Sequence, residues 1–105
     1  MLDMKKYKKL SKDLQSGMEG MQEELAKVEV DGVAGGGVLR IVVNGNQEIL
    51  KVEIKPEAVD PDDVEMLADL FRAAANQALE KSKEIQQERI NSLTGGMNLP
   101  NLPFL

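Results

Sequence analysis

A long helical pattern between residues 60 and 94 constrains the fold of this chain more than any other feature. Apolar residues recur at helical spacing through its first half, and Gly95-Gly96 follows as a stop signal. The predicted start has Asp60 as N-cap and Pro61 as the first helical residue, with Asp62, Asp63 and Glu65 in the first turn. Such a helix would be about 50 Å long, whereas a globule of this size has a radius of gyration of about 13 Å. We therefore expect the helix either to break or to share its core with a second copy of the chain.

The composition excludes several classes of chemistry. The 105 residues include no Cys and no His, which removes disulfides, zinc–thiolate sites and imidazole acid/base catalysis. Aromatic residues make up only 3%, so the core must consist of aliphatic side chains and Met. No apolar run approaches the roughly 20 residues that span a bilayer, and the N-terminal segment lacks the apolar stretch of a secretory signal. We expect one cytosolic domain.

The net charge of −5 conceals a strong asymmetry along the chain. Residues 1–16 hold five lysines against Asp3 and Asp13, whereas residues 60–80 hold six acidic residues and one arginine. Because local potential decides what a surface attracts, the overall acidity does not exclude an anionic partner.

Residues 4–28 predict a helix with a narrow apolar stripe. The stripe follows heptad positions, with Ser11 as its weak member: Met4, Tyr7, Leu14, Met18, Met21, Leu25 and Val28. Gly17 and Gly20 interrupt the helix between its Lys-rich and Glu-rich halves, at a cost of about 1 kcal/mol each relative to Ala. The two glycines predict either a soft point, where the helix is locally weakened, or surface positions at which glycine is merely tolerated.

Three strands are predicted between the helices. Residues 28–31 form a short strand, residues 32–37 a flexible glycine-rich run, and residues 38–43 and 48–55 a hairpin around Asn44-Gly45-Asn46. A two-residue loop at 44–45 or 45–46 gives the hairpin one apolar face: Leu39, Ile41, Val43, Leu50, Val52 and Ile54. We expect this face to pack on the long helix.

The predicted fold is therefore α+β, an α-β-β-β-α unit in a single domain of residues 1–105. It comprises a projecting helix (1–28), a three-stranded antiparallel sheet (28–56), the long helix (60–94) and a Pro-containing tail (95–105). The predicted core or dimer residues are Leu39, Ile41, Leu50, Val52, Leu67, Phe71, Ala74 and Ala78. The apolar tail is expected to be a loose end or a strap over a hydrophobic groove.

No motif for catalysis, cofactor or metal binding emerges. The cluster Gly35-Gly36-Gly37 lacks the Lys and Ser/Thr of a phosphate loop and leads into a strand. The acids at 60–65 do not have the spacing of a calcium loop, and helix capping explains them. We expect no enzyme activity, no cofactor, no metal and no small-molecule substrate.

The lysines of the first helix are the remaining functional candidates: Lys5, Lys6, Lys8, Lys9 and Lys12. They are expected to spread around most of the helix circumference, leaving an apolar side at Tyr7, Leu10 and Leu14. A solvated face is the simpler interpretation. Concentration at the free end of a projecting helix, in an acidic chain, instead predicts a tip that binds DNA phosphates. No aromatic residues are interleaved for base stacking, so single-strand recognition is not predicted.

Three stretches resemble the YbaB/EbfC family of bacterial nucleoid-associated proteins. They are MQEELAKVEVDGVAGGGVLRIVVNG (21–45), VEIKPEAVDPDDVEMLADLFRAAANQAL (52–79) and LTGGMNLP (93–100). The resemblance implies a homodimer with a shared core and N-terminal helices that project like the arms of tweezers. It also implies binding of double-stranded DNA, a role in the nucleoid or in gene expression, and no catalysis. Weaker candidates for DNA contact, chosen on charge alone, are Lys27, Lys81, Lys83 and Arg89.

Two functions remain open at this point. The first is a homodimer that grips duplex DNA through phosphates, with weak sequence preference. The second is a scaffold dimer whose stripe Leu14/Met18/Met21/Leu25 clasps a partner helix, since Met suits adaptable apolar contacts.

Overall fold

The computed structural model describes residues 4–93 of the chain. Two helices flank three strands: α1 (Met4–Ala26), β1 (Glu29–Ala34), β2 (Leu39–Asn44), β3 (Ile49–Ile54) and α2 (Val64–Leu93). Short 3-10 turns occupy Gly35–Gly37 and Pro56–Ala58. The predicted α+β class and the order α-β-β-β-α are confirmed. The predicted tail at 95–105 lies outside the described residues.

The sheet is antiparallel with β2 in the centre. Leu39 pairs with Ile54 and Ile41 with Val52, so these residues share a face as predicted, but the register is shifted from the one that a two-residue loop gives. A bulge then pairs Val43 with Ile49, so the predicted two-residue loop is wrong. The loop is longer because the Asn44 side chain organises it, accepting hydrogen bonds from the backbone N–H of Asn46 (2.9 Å) and of Glu48 (3.1 Å).

Strand β1 extends further than predicted. Gly32 and Ala34 belong to the strand and not to a flexible run; Gly32 pairs with Ile41 of β2. The reason is packing against α2, because a Cβ atom on Gly32 would lie 2.0 Å from the carbonyl oxygen of Ala74. The glycine therefore lets the helix approach the sheet, and only residues 35–38 form the connection to β2.

Helix α2 begins at Val64, four residues after the predicted N-cap. Asp60 instead organises a turn, in which its side chain accepts a hydrogen bond from the N–H of Asp62 (2.9 Å) and its carbonyl accepts one from Asp63 (3.0 Å). Asp63 is the N-cap, since its Oδ1 accepts from the N–H of Met66 at 3.1 Å. The helix then runs unbroken to Leu93, a length of about 45 Å.

Helix α2 covers β1 and β2 and leaves β3 uncovered. The core consists of Leu39, Ile41, Val43, Ala74, Ala75 and Ala78, and Leu67 packs against it while partly buried. In contrast, Leu50, Val52 and Phe71 remain 49%, 41% and 39% exposed. The radius of gyration is 19.1 Å, well above the roughly 13 Å of a compact chain of this size.

Helix α1 is continuous through Gly17 and Gly20, so the predicted soft point is not a break. Its second half docks on the body: Met21 and Leu25 are buried, and the N–H of Gly45 donates to the carbonyl of Leu25 at 2.8 Å. Residues 4–16 are exposed throughout and project from the body. Neither of the two described helices is long and apolar enough to cross a membrane.

Candidate nucleic-acid interface

The five candidate lysines all lie on the projecting half of α1 and are exposed. At about 100° per residue, four of them fall within an arc of about 100°: Lys5, Lys8, Lys9 and Lys12. Lys6 lies about 60° outside this arc, between Lys9 and Leu10. The basic face is therefore narrower than the sequence analysis suggested, and the apolar stripe occupies the opposite side of the helix.

The charges of four of these lysines are not neutralised within the part of the chain that the structure describes. Lys6, Lys8, Lys9 and Lys12 form no ion pair there, whereas the ion pairs of the body engage Arg40, Lys51, Arg72, Lys81 and Arg89. The projecting half of α1 therefore presents uncompensated positive charge, as a phosphate-binding surface requires.

The charge order of α1 also opposes its own helix dipole. Its first turn contains no acidic residue and its last turn no basic one. Lysines instead follow the start of the helix, and Glu23 and Glu24 stand in the last turn. Each charge misplaced in a terminal turn costs about 0.3–1 kcal/mol when exposed. At the same time, the positive end of the dipole adds to the potential of the lysines, which favours an anionic ligand.

The exposed face of the sheet carries balanced charges. Arg40 donates to Asp31 at 2.7 Å and to Glu53 at 3.3 Å, and Lys51 pairs with Glu53 at 2.9 Å. The hydrogen bond from Arg40 lowers the pKa of Asp31, and the one from Lys51 lowers the pKa of Glu53. The charges of these two cations and two carboxylates cancel, so this face has little electrostatic attraction for a polyanion.

The four weaker candidates do not join the lysines of α1. Lys81 Nζ donates to the carbonyl of Asp31 at 2.8 Å, and Arg89 is paired with Glu24. Lys27 and Lys83 are exposed on the body of the protein. No group of His, Cys, Asp or Glu suited to holding a metal ion occurs among residues 4–93.

The apolar stripe of α1 divides into two parts. Met21 and Leu25 are buried within the chain, whereas the neighbouring Leu10 and four stripe residues beyond Met21 are 40–70% exposed: Met4, Tyr7, Leu14 and Met18. The side that a scaffold protein would use is therefore partly occupied at the base of the arm and open towards its tip.

Comparison with known proteins identifies the family of this chain. Residues 1–97 match the model of the YbaB/EbfC DNA-binding family. The chain belongs to this family. Within it, a protein of Desulforamulus reducens is 50% identical and one of Pelotomaculum thermopropionicum 44% identical, each over 95% of both chains. Both are named nucleoid-associated proteins.

The YbaB/EbfC resemblance predicted from the sequence is thus confirmed. An uncharacterized protein of Helicobacter pylori has a similar solved structure, with a TM-score of 0.78 and 17% identity over 90% of this chain and 100% of that one. At this identity, the likeness concerns the fold alone. Sequence reasoning missed Ser82, whose buried hydroxyl donates to the carbonyl of Asn44 at 2.6 Å and secures the hairpin loop. A serine in an otherwise polar helical stretch gave no signal of this contact.

Proposed function

We propose that this protein is a non-enzymatic, nucleoid-associated protein that binds duplex DNA as a homodimer, mainly through phosphates. The observation that carries the proposal is the row of exposed lysines, unpaired at Lys6, Lys8, Lys9 and Lys12 within residues 4–93, on an arm that projects from an acidic body. Membership in a DNA-binding family supports it. Phosphate contacts position a protein without reading bases, so the proposal includes weak sequence preference.

The first experiment measures DNA binding by fluorescence anisotropy of a labelled duplex at several salt concentrations. The variant Lys6→Ala/Lys8→Ala/Lys9→Ala should bind about tenfold more weakly on every sequence, because it loses phosphate contacts. Each lost contact should also lower the slope of log affinity against log salt concentration by about 0.9. The wild-type affinity should fall steeply between about 50 and 200 mM salt.

The matched control is Lys27→Ala/Lys55→Ala/Lys83→Ala. It removes the same number of exposed lysines from the body and gives the same net charge. Equal losses in the two variants would contradict the assignment to the arm. No binding of the wild type even at low salt would contradict DNA binding itself and favour the scaffold function.

Support for the dimer comes from the uncovered edge of the sheet. Apolar side chains on β3 are 41–51% exposed: Ile49, Leu50, Val52 and Ile54. The N–H of Val33 donates to the Gln77 side chain at 2.8 Å, which shows that this side of α2 faces β1. Phe71 lies about 120° round the helix from Gln77 and is 39% exposed. A second copy that covers β3 and Phe71 would also pack against the part of α2 that extends beyond the core of its own chain.

The dimer is tested by sedimentation of two matched variants. Val52 on β3 and Val33 on β1 are 41% and 45% exposed on opposite outer strands of the sheet. We expect Val52→Lys to dissociate the dimer by placing a charge in its apolar centre, and Val33→Lys to leave it intact. A monomeric wild type, or a dimer that survives Val52→Lys but not Val33→Lys, would contradict this interface.

A further inference from the structure

The direction in which α1 projects depends on non-covalent contacts at its base. Only residues 27–28 connect α1 to β1, and within residues 4–26 only Met21 and Leu25 are buried. A tilt at the base is magnified at the tip. Lys8 lies about 26 Å along the helix from Leu25, so a tilt of about 20° moves it by about 9 Å. This displacement exceeds the width of the minor groove of DNA, about 6 Å.

The hairpin loop between β2 and β3, residues 45–48, contacts the last turn of α1. The N–H of Gly45 donates to the carbonyl of Leu25 at 2.8 Å, and Asn46 Nδ2 donates to the carbonyl of Gln22 at 2.9 Å. The last four carbonyls of a helix have no partner within the helix, and Leu25 is one of these four residues. The loop therefore holds the base of the arm at two points about one turn apart.

The contact with Leu25 requires a glycine at position 45. A Cβ atom on Gly45 would lie 2.7 Å from Leu25 Cδ2 and 2.9 Å from the Leu25 carbonyl oxygen. Contacts of real Cβ atoms are longer than 3.0 Å. Hairpin turns favour an Asn-Gly pair for their own geometry, and here the glycine also lets the arm dock on the loop.

The loop is also anchored on α2. The buried Ser82 hydroxyl donates to the carbonyl of Asn44 at 2.6 Å and accepts from Gln47 Nε2 at 2.9 Å. Gln47 has a φ of 59°, a conformation that persists in such a residue only where its surroundings impose it. Its backbone N–H lies 3.3 Å from the Ser82 hydroxyl and also donates to it. Helix α2 therefore fixes the loop, and the loop fixes the last turn of α1.

We infer that Gly45 and Asn46 are positioning residues, which set the direction of the arm and thereby place its lysines for DNA. This role rests on the proposed function, because it concerns the same arm. Neither residue is basic. Both contact the last turn of α1, about 20 Å along the helix from Lys8 and Lys9. They therefore act on bound DNA through the helix and not by touching it.

The direction of the arm is tested by pulsed electron paramagnetic resonance. The chain has no Cys, so nitroxides at Asp13→Cys on the arm and Glu80→Cys on α2, both exposed positions, report one distance. Labelled chains are diluted with an excess of unlabelled chains of the same loop sequence, which restricts the measurement to distances within one chain. We expect Gly45→Ala and Asn46→Ala each to shift or widen the distance distribution by about 6 Å, the displacement of residue 13 for a tilt of about 20°.

Two control variants separate the direction of the arm from the stability of the protein. Gly20→Ala adds a methyl group to α1 that meets nothing within 4 Å. Asp63→Ala removes the cap at the start of α2 and lowers stability without touching the loop. Neither control should change the distance distribution. If the loop only stabilised the fold, Gly45→Ala would behave as Asp63→Ala does, with a lower urea midpoint and an unchanged arm.

Anisotropy titrations of a labelled duplex, without nitroxides, then connect the direction of the arm with binding. Gly45→Ala and Asn46→Ala retain every lysine, yet each should bind DNA severalfold more weakly than the wild type. The two controls should bind as the wild type does. Asn46→Ala only removes a hydrogen-bond donor from a half-buried side chain, so it decides the outcome if Gly45→Ala does not fold.

Two results would overturn the role of the loop. One is an unchanged distance distribution in the folded loop variants. The other is an unchanged DNA affinity in a variant whose arm has moved. Absence of DNA binding by the wild type would contradict the proposed function itself. The distance measurement uses no DNA, so it would still decide whether the loop sets the direction of the arm.

Discussion

Helices α1 and α2 are both long and continuous, yet their charges run in opposite senses. Helix α2 starts with Asp63 as its cap and Glu65 in its first turn, which is the arrangement that stabilises a helix. Helix α1 starts with lysines and ends with glutamates, which is the arrangement that weakens one. The acidic residues at the start of α2 are explained by the stability they give to that helix. The charges of α1 do not stabilise that helix, which is consistent with the proposed binding of an anionic partner.

The two helices also differ in how many of their side chains are buried against the rest of the protein. Helix α2 presents three buried alanines, Ala74, Ala75 and Ala78, to the sheet. Only Met21 and Leu25 are buried in α1. Substitutions on α2 and its contacts should therefore change the stability of the whole protein, whereas those on the projecting half of α1 should change binding.

The largest effect is expected at the contact between β1 and α2. Gly32→Val places side-chain atoms where the Ala74 carbonyl stands, 2.0 Å from the position of a Cβ. Forcing the helix off the sheet should lower the free energy of unfolding by about 3 kcal/mol, measured by urea denaturation. Gly20→Ala is the control on α1, where the added methyl meets nothing within 4 Å. It should raise stability by up to about 1 kcal/mol. A neutral Gly32→Val would contradict the tight contact.

A smaller effect is expected at the start of α2. Asp63→Ala removes the N-cap and should lower the free energy of unfolding by about 1 kcal/mol, again measured in urea. Asp62→Ala is the comparison, since the Asp62 side chain accepts no hydrogen bond from the helix within residues 4–93. If the sequence-based assignment of Asp60 as the cap were right, Asp60→Ala would cost more than Asp63→Ala.

The smallest effect is expected at the tip of α1, and there stability and binding should change in opposite directions. Lys6→Glu places an acid in the first turn and should stabilise the arm by about 0.5 kcal/mol, seen as slower amide hydrogen exchange in α1. The same change should weaken DNA binding. Lys12→Glu, two turns into the helix, should weaken binding without this gain, because the dipole effect fades after the first turn. Reduced protection of α1 in Lys6→Glu would contradict the comparison.

Much of the fold was predictable because its signals are local. Hydrophobic periodicity and the Asn-Gly turn predicted the helices, the strands and the face that Leu39 and Ile41 share with Val52 and Ile54. The boundaries that failed depend on tertiary contacts. Gly32 looks like a linker residue until α2 is placed against it, and the length of the hairpin loop depends on the side chain of Asn44.

The candidate interface was predictable in composition but not in geometry. The sequence predicted which lysines lie at the free end of α1, since charge and helical periodicity suffice for that. It could not show that Arg89 and Lys81 are engaged within the chain by Glu24 and Asp31. It could not show either that β3 would remain uncovered, because exposure there depends on how far α2 reaches across the sheet.

The projection of α1 also sets how the protein's own acidity acts on a bound polyanion. Lys9 stands about 21 Å along the helix from Glu23, roughly twice the Debye length of about 10 Å at 0.1 M salt. At that ionic strength, DNA bound at the tip as proposed would be largely screened from the acidic body. At about 0.01 M salt the Debye length grows to about 30 Å and the repulsion reaches the tip. On the proposed function, the length of the arm would act as an electrostatic spacer, and DNA affinity should level off, instead of rising steadily, as salt is removed.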